Sequence, residues 1–170
     1  MQRIISGLCI GLAAMLAGYP ALAQAPAPIP DKMPFDIPIG PSINLAQAKD
    51  LLPLAEAEAK KHDWKMAIAV VDTAGELVTF EKIDGTQISS VTIAINKAYT
   101  AARFRRPTSV FFHAMETGHP YVMTFGPTLV ASPGGIPLIE DGKIIGAIGC
   151  SGGTGAQDAV VCGAAASKVH

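Results

Sequence analysis

Residues Gly134–Asp158 read GGIPLIEDGKIIGAIGCSGGTGAQD, and the fold class follows from this stretch. Two apolar runs, Ile136–Ile139 and Lys143–Gly149, flank Asp141-Gly142, a dipeptide suited to a tight hairpin turn. Thr154-x-x-Gln157 then has the form of a capping box, and Val160, Val161, Ala164 and Ala165 continue apolar behind it. A helix over about Gly155–Ser167 is expected. An antiparallel hairpin that runs directly into a helix indicates an α+β domain rather than a parallel α/β one.

The rest of the chain repeats this vocabulary. Upstream, Met66–Val71 and Leu77–Glu81 bracket the turn Asp72-Thr73-Ala74-Gly75 as a second hairpin. Thr128–Ala131 is a further candidate strand, so a sheet of about five strands is expected. Asn44-x-x-Gln47 opens an earlier helix that ends near Lys61-His62-Asp63, and Pro53 should kink or split it. Ile88, Val91, Ile95, Ala98 and Ala102 share one face of a helix over Gln87–Phe104, which ends before Pro107. Thr108 is placed to cap a shorter helix through Glu116, closed by Gly118 and Pro120.

Before this domain, residues 1–23 have Arg3, an apolar run from Ile4 to about Leu16, and an Ala21-Leu22-Ala23 end. That describes a secretory leader, and the run is too short for a membrane anchor. Export to the periplasm or outside is therefore expected. Residues 24–43 carry six prolines and read as an extended arm, able to lie on a neighbouring subunit through Phe35, Ile37 and Ile39. Residues 44–170 form the domain. Cleavage removes Arg3 and takes the net charge from −1 to −2. The one basic cluster, Arg103, Arg105 and Arg106, is too small for a nucleic-acid face and reads as a solvated helix end. Cleavage also removes Cys9, leaving Cys150 and Cys162. Two cysteines in an exported chain invite a disulfide, and the other reading is a pair of small buried hydrophobes.

Within the opening stretch, Gly149-Cys150-Ser151-Gly152-Gly153 matches G-x-S-x-G, the pattern of a hydrolase nucleophile elbow. The usual partners after the serine reduce to Asp158, in the first turns of a helix, and His170. A serine hydrolase is thus the remote reading. The loop has no lysine and no dinucleotide spacing, although amides at the helix start could meet an anion. Close packing of helix on sheet explains the glycines more simply.

Three segments in order, AIAVVDTAGELV, NKAYTAARFRRPTS and GGIPLIEDGKIIGAIGCSGGTGAQD, resemble the GlcG/HbpS family of haem-binding, haem-degrading-type domains. The likeness runs from about Leu45 to Lys168. It implies a profilin-like antiparallel sheet flanked by helices, a homo-oligomer, and non-covalent haem in some exported members. Two departures stand out. Cys150 replaces an apolar residue, commonly valine, and EKIDG replaces Arg-Met-Asp-Gly.

For haem, C-x-x-C-H is absent, which excludes covalent attachment, so a b-type group would need an axial donor. His113 and His119 flank the end of the short helix near Met115, Tyr121 and Met123, yet each also reads as a lone surface histidine. The resemblance implies instead the NKAYTA helix, where Asn96, Thr100 and Arg103 share a side with Tyr99 adjacent. Thr100 would be a weak iron ligand, and Arg103, Arg105 or Arg106 could pair with propionates. Equally, Thr100 and Lys97 could satisfy backbone groups where helix meets sheet. Ser151, Gly152 and Gly153 complete the candidate ligand-binding set. His113-x-x-Glu116 has no third ligand at metal-site spacing. The leading expectation is an exported haem-binding protein that sequesters haem or assists its degradation. The alternative is a non-enzymatic oligomeric accessory protein that partners a sensor.

Overall fold

The computed structural model describes residues 29–170; the expected leader and residues 24–28 of the arm lie outside them. Four strands form one antiparallel sheet in the order β2-β1-β4-β3. The hairpins are β1 (Ala67–Val71) with β2 (Leu77–Lys82), and β3 (Gly135–Glu140) with β4 (Lys143–Ser151). They join where β1 pairs with β4, from Ala67 opposite Ser151 to Val71 opposite Ala147. Helices α1 (Leu45–Lys61) and α4 (Gly155–Ala166) cover one face, and α2 (Ser90–Phe104) covers the other. A shorter α3 (Ser109–Glu116) and a 3-10 turn, Pro120–Phe125, follow α2.

The layers follow from the two-residue period of a strand. Ala67, Ala69 and Val71 face Ala94, Ala98, Ala101 and Ala102 of α2. Ile68 and Val70 face the larger core that α1 and α4 share. The α2 face is built almost entirely from alanine and glycine. Gly149 lies opposite Ala69 on one side and Gly135 on the other. A β-carbon on Gly149 would sit 2.2 Å from the Ala94 carbonyl oxygen, and one on Gly135 would sit 2.3 Å from that of Lys97. The helix therefore rests nearly on the sheet backbone, which accounts for these glycines by packing.

Both expected capping boxes form: Asn44 and Gln47 exchange side-chain–backbone bonds at the start of α1, and Thr154 and Gln157 do so at α4. Three expectations need correction. Thr128–Ala131 is not a strand, so the sheet has four strands among the described residues rather than about five. Its polar groups are taken by a helix: the Thr128 carbonyl accepts from the Thr100 hydroxyl, which in turn accepts the Val130 N–H. Pro53 does not split α1, which runs unbroken for 17 residues. Thr108 occupies the N-cap position of α3 without capping it. Its hydroxyl donates to the Ser132 carbonyl at 2.6 Å and accepts the Gly135 N–H at 2.9 Å.

The end of the arm is part of the domain. Ile39 bridges Ile144 in parallel, with Gly40 N–H on the Ile144 carbonyl at 2.8 Å and Ile144 N–H on the Pro38 carbonyl at 2.9 Å. This uses backbone groups of β4 beyond the last residue paired with β1. Phe35 lies under the Arg106 guanidinium, 3.7 Å from its ring centre, and the Ile37 carbonyl accepts from Arg105. Phe35, Ile37 and Ile39 thus contact their own chain, and Arg105 and Arg106 of the basic cluster tie down the arm.

Gly163 combines an ordinary helical backbone with open space around it. Gly163, inside α4, has its nearest neighbour 4.0 Å from an added β-carbon. Gly163→Ala should stabilise the protein by about 0.5–1 kcal/mol through helix propensity, read as a higher melting temperature.

Candidate functional site

A groove of about 430 Å3 opens beside α2, lined by Tyr99, Arg103, Phe104, Phe125 and the backbone run Gly126–Leu129. That size is within the range of small-molecule sites. Helical spacing sets one side, since residues 99 and 103 are one turn apart on α2. Phe104 packs edge-on to Phe111 and stacks with Phe125 at 6.1 Å, so the aromatic wall is anchored in a small core of Phe111, Val122 and Leu129. The Arg103 guanidinium lies 5.5 Å from the Tyr99 ring centre and donates to the Ala74 carbonyl. The groove combines flat apolar walls with one permanent cation and one phenol.

Tyr99 and Arg103 are the two expected site residues that the structure brings together here. Thr100 is buried behind them, its hydroxyl engaged with Thr128 and Val130. Lys97 is also buried. Its ammonium donates to the Pro133 carbonyl and to Asp158 Oδ2, each at 2.7 Å. Both occupy the backbone-satisfying role that was one of their two readings. Burial holds the Lys97 ammonium below the ordinary lysine value and pushes the Asp158 carboxyl up, while each partner pulls the other back towards its charged form. Among the described residues no buried side-chain nitrogen or oxygen lacks a partner.

The glycine loop turns inward. Gly153 N–H donates to Asp158 Oδ1 at 3.0 Å, so the carboxylate of α4 itself occupies the anion position there. Gly152 is pressed against the Lys65 carbonyl, 1.9 Å from where a β-carbon would lie. Ser151 is the last residue of β4, 4% exposed, and its hydroxyl donates to Ser90 Oγ at 3.3 Å. A nucleophile elbow needs an exposed hydroxyl on a base, and Ser151 has neither here.

Neither His113 nor His119 lines the groove. His113 Nδ1 is 3.2 Å from Glu116 Oε2 on an exposed helix face, and His119 Nδ1 is 3.2 Å from the Thr117 hydroxyl. Among the described residues no group of three His, Cys, Asp or Glu side chains could hold a metal ion. Cys150 and Cys162 are fully buried and adjacent, their Cα atoms 5.7 Å apart, within disulfide range.

Two features escaped sequence reasoning. The groove's far wall, Phe125–Leu129, was assigned partly to a strand, because a short apolar run carries no sign of whether it pairs. The Lys97–Asp158 pair had a readable signal. Lys97 falls on the apolar face of α2 with Ala94, Ala98 and Ala101, and a lysine buried there needs an acid.

The chain is thus an α+β domain with an aromatic groove beside the helix that covers one face of its sheet. The chain belongs to the family described as haem degrading protein HbpS-like, whose model matches residues 43–167. It is 39% identical over 104 residues to the protein GlcG of Escherichia coli, covering 61% of this chain and 77% of that one. Among solved structures it is similar to HbpS of Streptomyces reticuli in a double-mutant form. The TM-score there is 0.71 and the identity 25%, covering 86% of this chain and 99% of that one. A heme complex of PduOC has the same fold, with a TM-score of 0.70 at 22% identity, covering 76% and 96%.

Proposed function

We propose that the protein is an exported haem-binding protein that holds haem non-covalently in the groove at Tyr99 and Arg103. The observation that carries this reading is the groove's composition: Phe104, Phe125 and Leu129 offer apolar area to a flat macrocycle, and Arg103 offers a partner for a propionate. The family description and the heme complex of PduOC support the same ligand class. The residues fit the group. The phenol of Tyr99 is of a donor type known to hold haem iron, and no histidine, methionine or cysteine lines the groove. Bound haem would supply redox-active iron; the chain's own part is to seat the ring, pair its carboxylate and shield one face from water.

Titration with hemin, followed by absorption, tests the reading. The expected result is a saturable shift of the main porphyrin band. Arg103→Ala should weaken binding about tenfold, by loss of one charge-assisted contact. Tyr99→Phe should change the band position. A spectrum that is the sum of free hemin and free protein would overturn the proposal.

Oxidation of Cys150 and Cys162 to a disulfide is the state expected of an exported chain. Unfolded without reductant, the mature protein should then show no free thiol in a colorimetric assay. No helix among the described residues is long and apolar enough to cross a membrane. We further propose a homo-oligomer, a state supported by the exposed apolar side chains Phe112, Met115, Tyr121 and Met123 around α3 and the 3-10 turn.

A further inference from the structure

The turn between β1 and β2, Asp72–Glu76, stands beside the groove without lining it. Two contacts connect them. Arg103 Nη1 donates to the Ala74 carbonyl at 3.1 Å. Gly75, at φ +87°, leaves a notch for the Tyr99 ring; a β-carbon there would lie 2.8 Å from Tyr99 Cδ2 and 3.2 Å from Arg103 Cγ. One carboxylate orients the middle of the turn, beside a backbone bond from the Gly75 N–H to the Asp72 carbonyl at 3.1 Å. Asp72 Oδ1 accepts the Ala74 N–H at 2.8 Å and the Glu76 N–H at 2.9 Å, while Asp72 N–H donates to the Glu76 carbonyl. On its outer side, Ser42 of the arm meets the Thr73 hydroxyl at 2.7 Å.

We infer that Asp72 is a positioning residue for recognition of a ligand carboxylate, acting through the Ala74 carbonyl on Arg103. The inference rests on the haem reading above and names the part of the ligand that is read: a free carboxylate side chain. Arg103 is exposed, and an exposed arginine loses rotamer freedom when it binds. Anchoring one N–H on Ala74 removes part of that loss in advance, and leaves the other edge of the planar fork for the ligand. The Asx geometry at Asp72 keeps the Ala74 carbonyl facing Arg103. Asparagine can make the same two bonds as an acceptor; alanine cannot.

The test compares hemin with hemin dimethyl ester, which lacks the free carboxylates, on the wild type, Asp72→Ala and Asp72→Asn. Thermal melts confirm that each variant is folded. Asp72→Ala should bind hemin about tenfold more weakly, while its affinity for the diester stays within about twofold of the wild type. Asp72→Asn should behave as the wild type with both. Equal weakening for hemin and diester would overturn the inference, because it would mark a general loss of structure. Unchanged hemin binding in Asp72→Ala would overturn it as well. A ligand-free arm separates this inference from the haem reading: 15N relaxation of the Arg103 side-chain Nε should show increased motion in Asp72→Ala and not in Asp72→Asn. If the wild type binds neither porphyrin while this mobility difference is present, the haem reading fails and the positioning stands. If the mobility difference is absent, the positioning fails whatever binds.

Discussion

Lys97→Met should cost about 3–5 kcal/mol at neutral pH, the loss expected when one member of a buried ion pair is removed. For a domain of this size that lowers the melting temperature by roughly 10–20 °C. The wild-type pair spans the two layers of the domain: Lys97 comes from α2 on one face of the sheet, Asp158 from α4 on the other, and both are at most 2% exposed. Removing the ammonium strands the carboxylate on its contact with Gly153 and leaves the Pro133 carbonyl without its donor. The pH dependence has a definite sign. Burial already raises Asp158, and loss of the Lys97 charge removes the pull that lowered it. A carboxyl whose folded pKa lies above its unfolded value binds its proton more tightly when folded, so stability rises as pH falls through the folded pKa. The deficit of Lys97→Met should therefore shrink as the pH is lowered from about 7.5 towards the unfolded carboxyl range. Lys97→Met combined with Asp158→Leu buries no charge and should recover much of the loss, although the Gly153 N–H then lacks its acceptor. Thermal melts of the three proteins across pH check this.

Gly149→Ala should cost about 3 kcal/mol or more, or prevent folding, which places it at the severe end of overpacking changes. One added methyl would meet the Ala94 carbonyl at 2.2 Å and the Ala98 amide nitrogen at 2.5 Å, both helix backbone atoms that cannot swing aside. Relief requires α2 to lift from the sheet along the row Ala69–Gly149–Gly135, carrying Tyr99 and Arg103 with it. The groove should then be perturbed even if some protein folds. Denaturant unfolding of Gly149→Ala beside Gly163→Ala separates this effect from a general intolerance of alanine, since the second change is expected to stabilise.

How far the sequence reached depended on the range of the interactions involved. The Asp141-Gly142 hairpin and the two capping boxes are decided within a few residues, and they stand as read. The β-strand limits moved by one or two residues, enough to place Ser151 inside β4 instead of beyond its expected end at Gly149. What sequence reasoning missed depends on contacts between distant residues. Thr128–Ala131 has the composition of a strand, but Thr100, 28 residues upstream of Thr128, binds its backbone. The groove forms only when this segment lies across from Tyr99 and Phe104, and nothing local in either stretch encodes that meeting. Lys97 and Asp158 are 61 positions apart. His113 and His119 looked suitable by chemical type, but both are exposed and neither lines the groove; His119 meets Phe125 only through Tyr121.

The most direct test of the account locates the ligand. The 15N-labelled protein would be titrated with hemin, and the loss of amide signals caused by the paramagnetic iron would be mapped on the structure. Haem in the groove should broaden signals centred on Tyr99–Phe104 and Phe125–Leu129. Broadening centred on His113 and His119, or on Gly152 and Gly153, would contradict it, and so would a spectrum that hemin leaves unchanged.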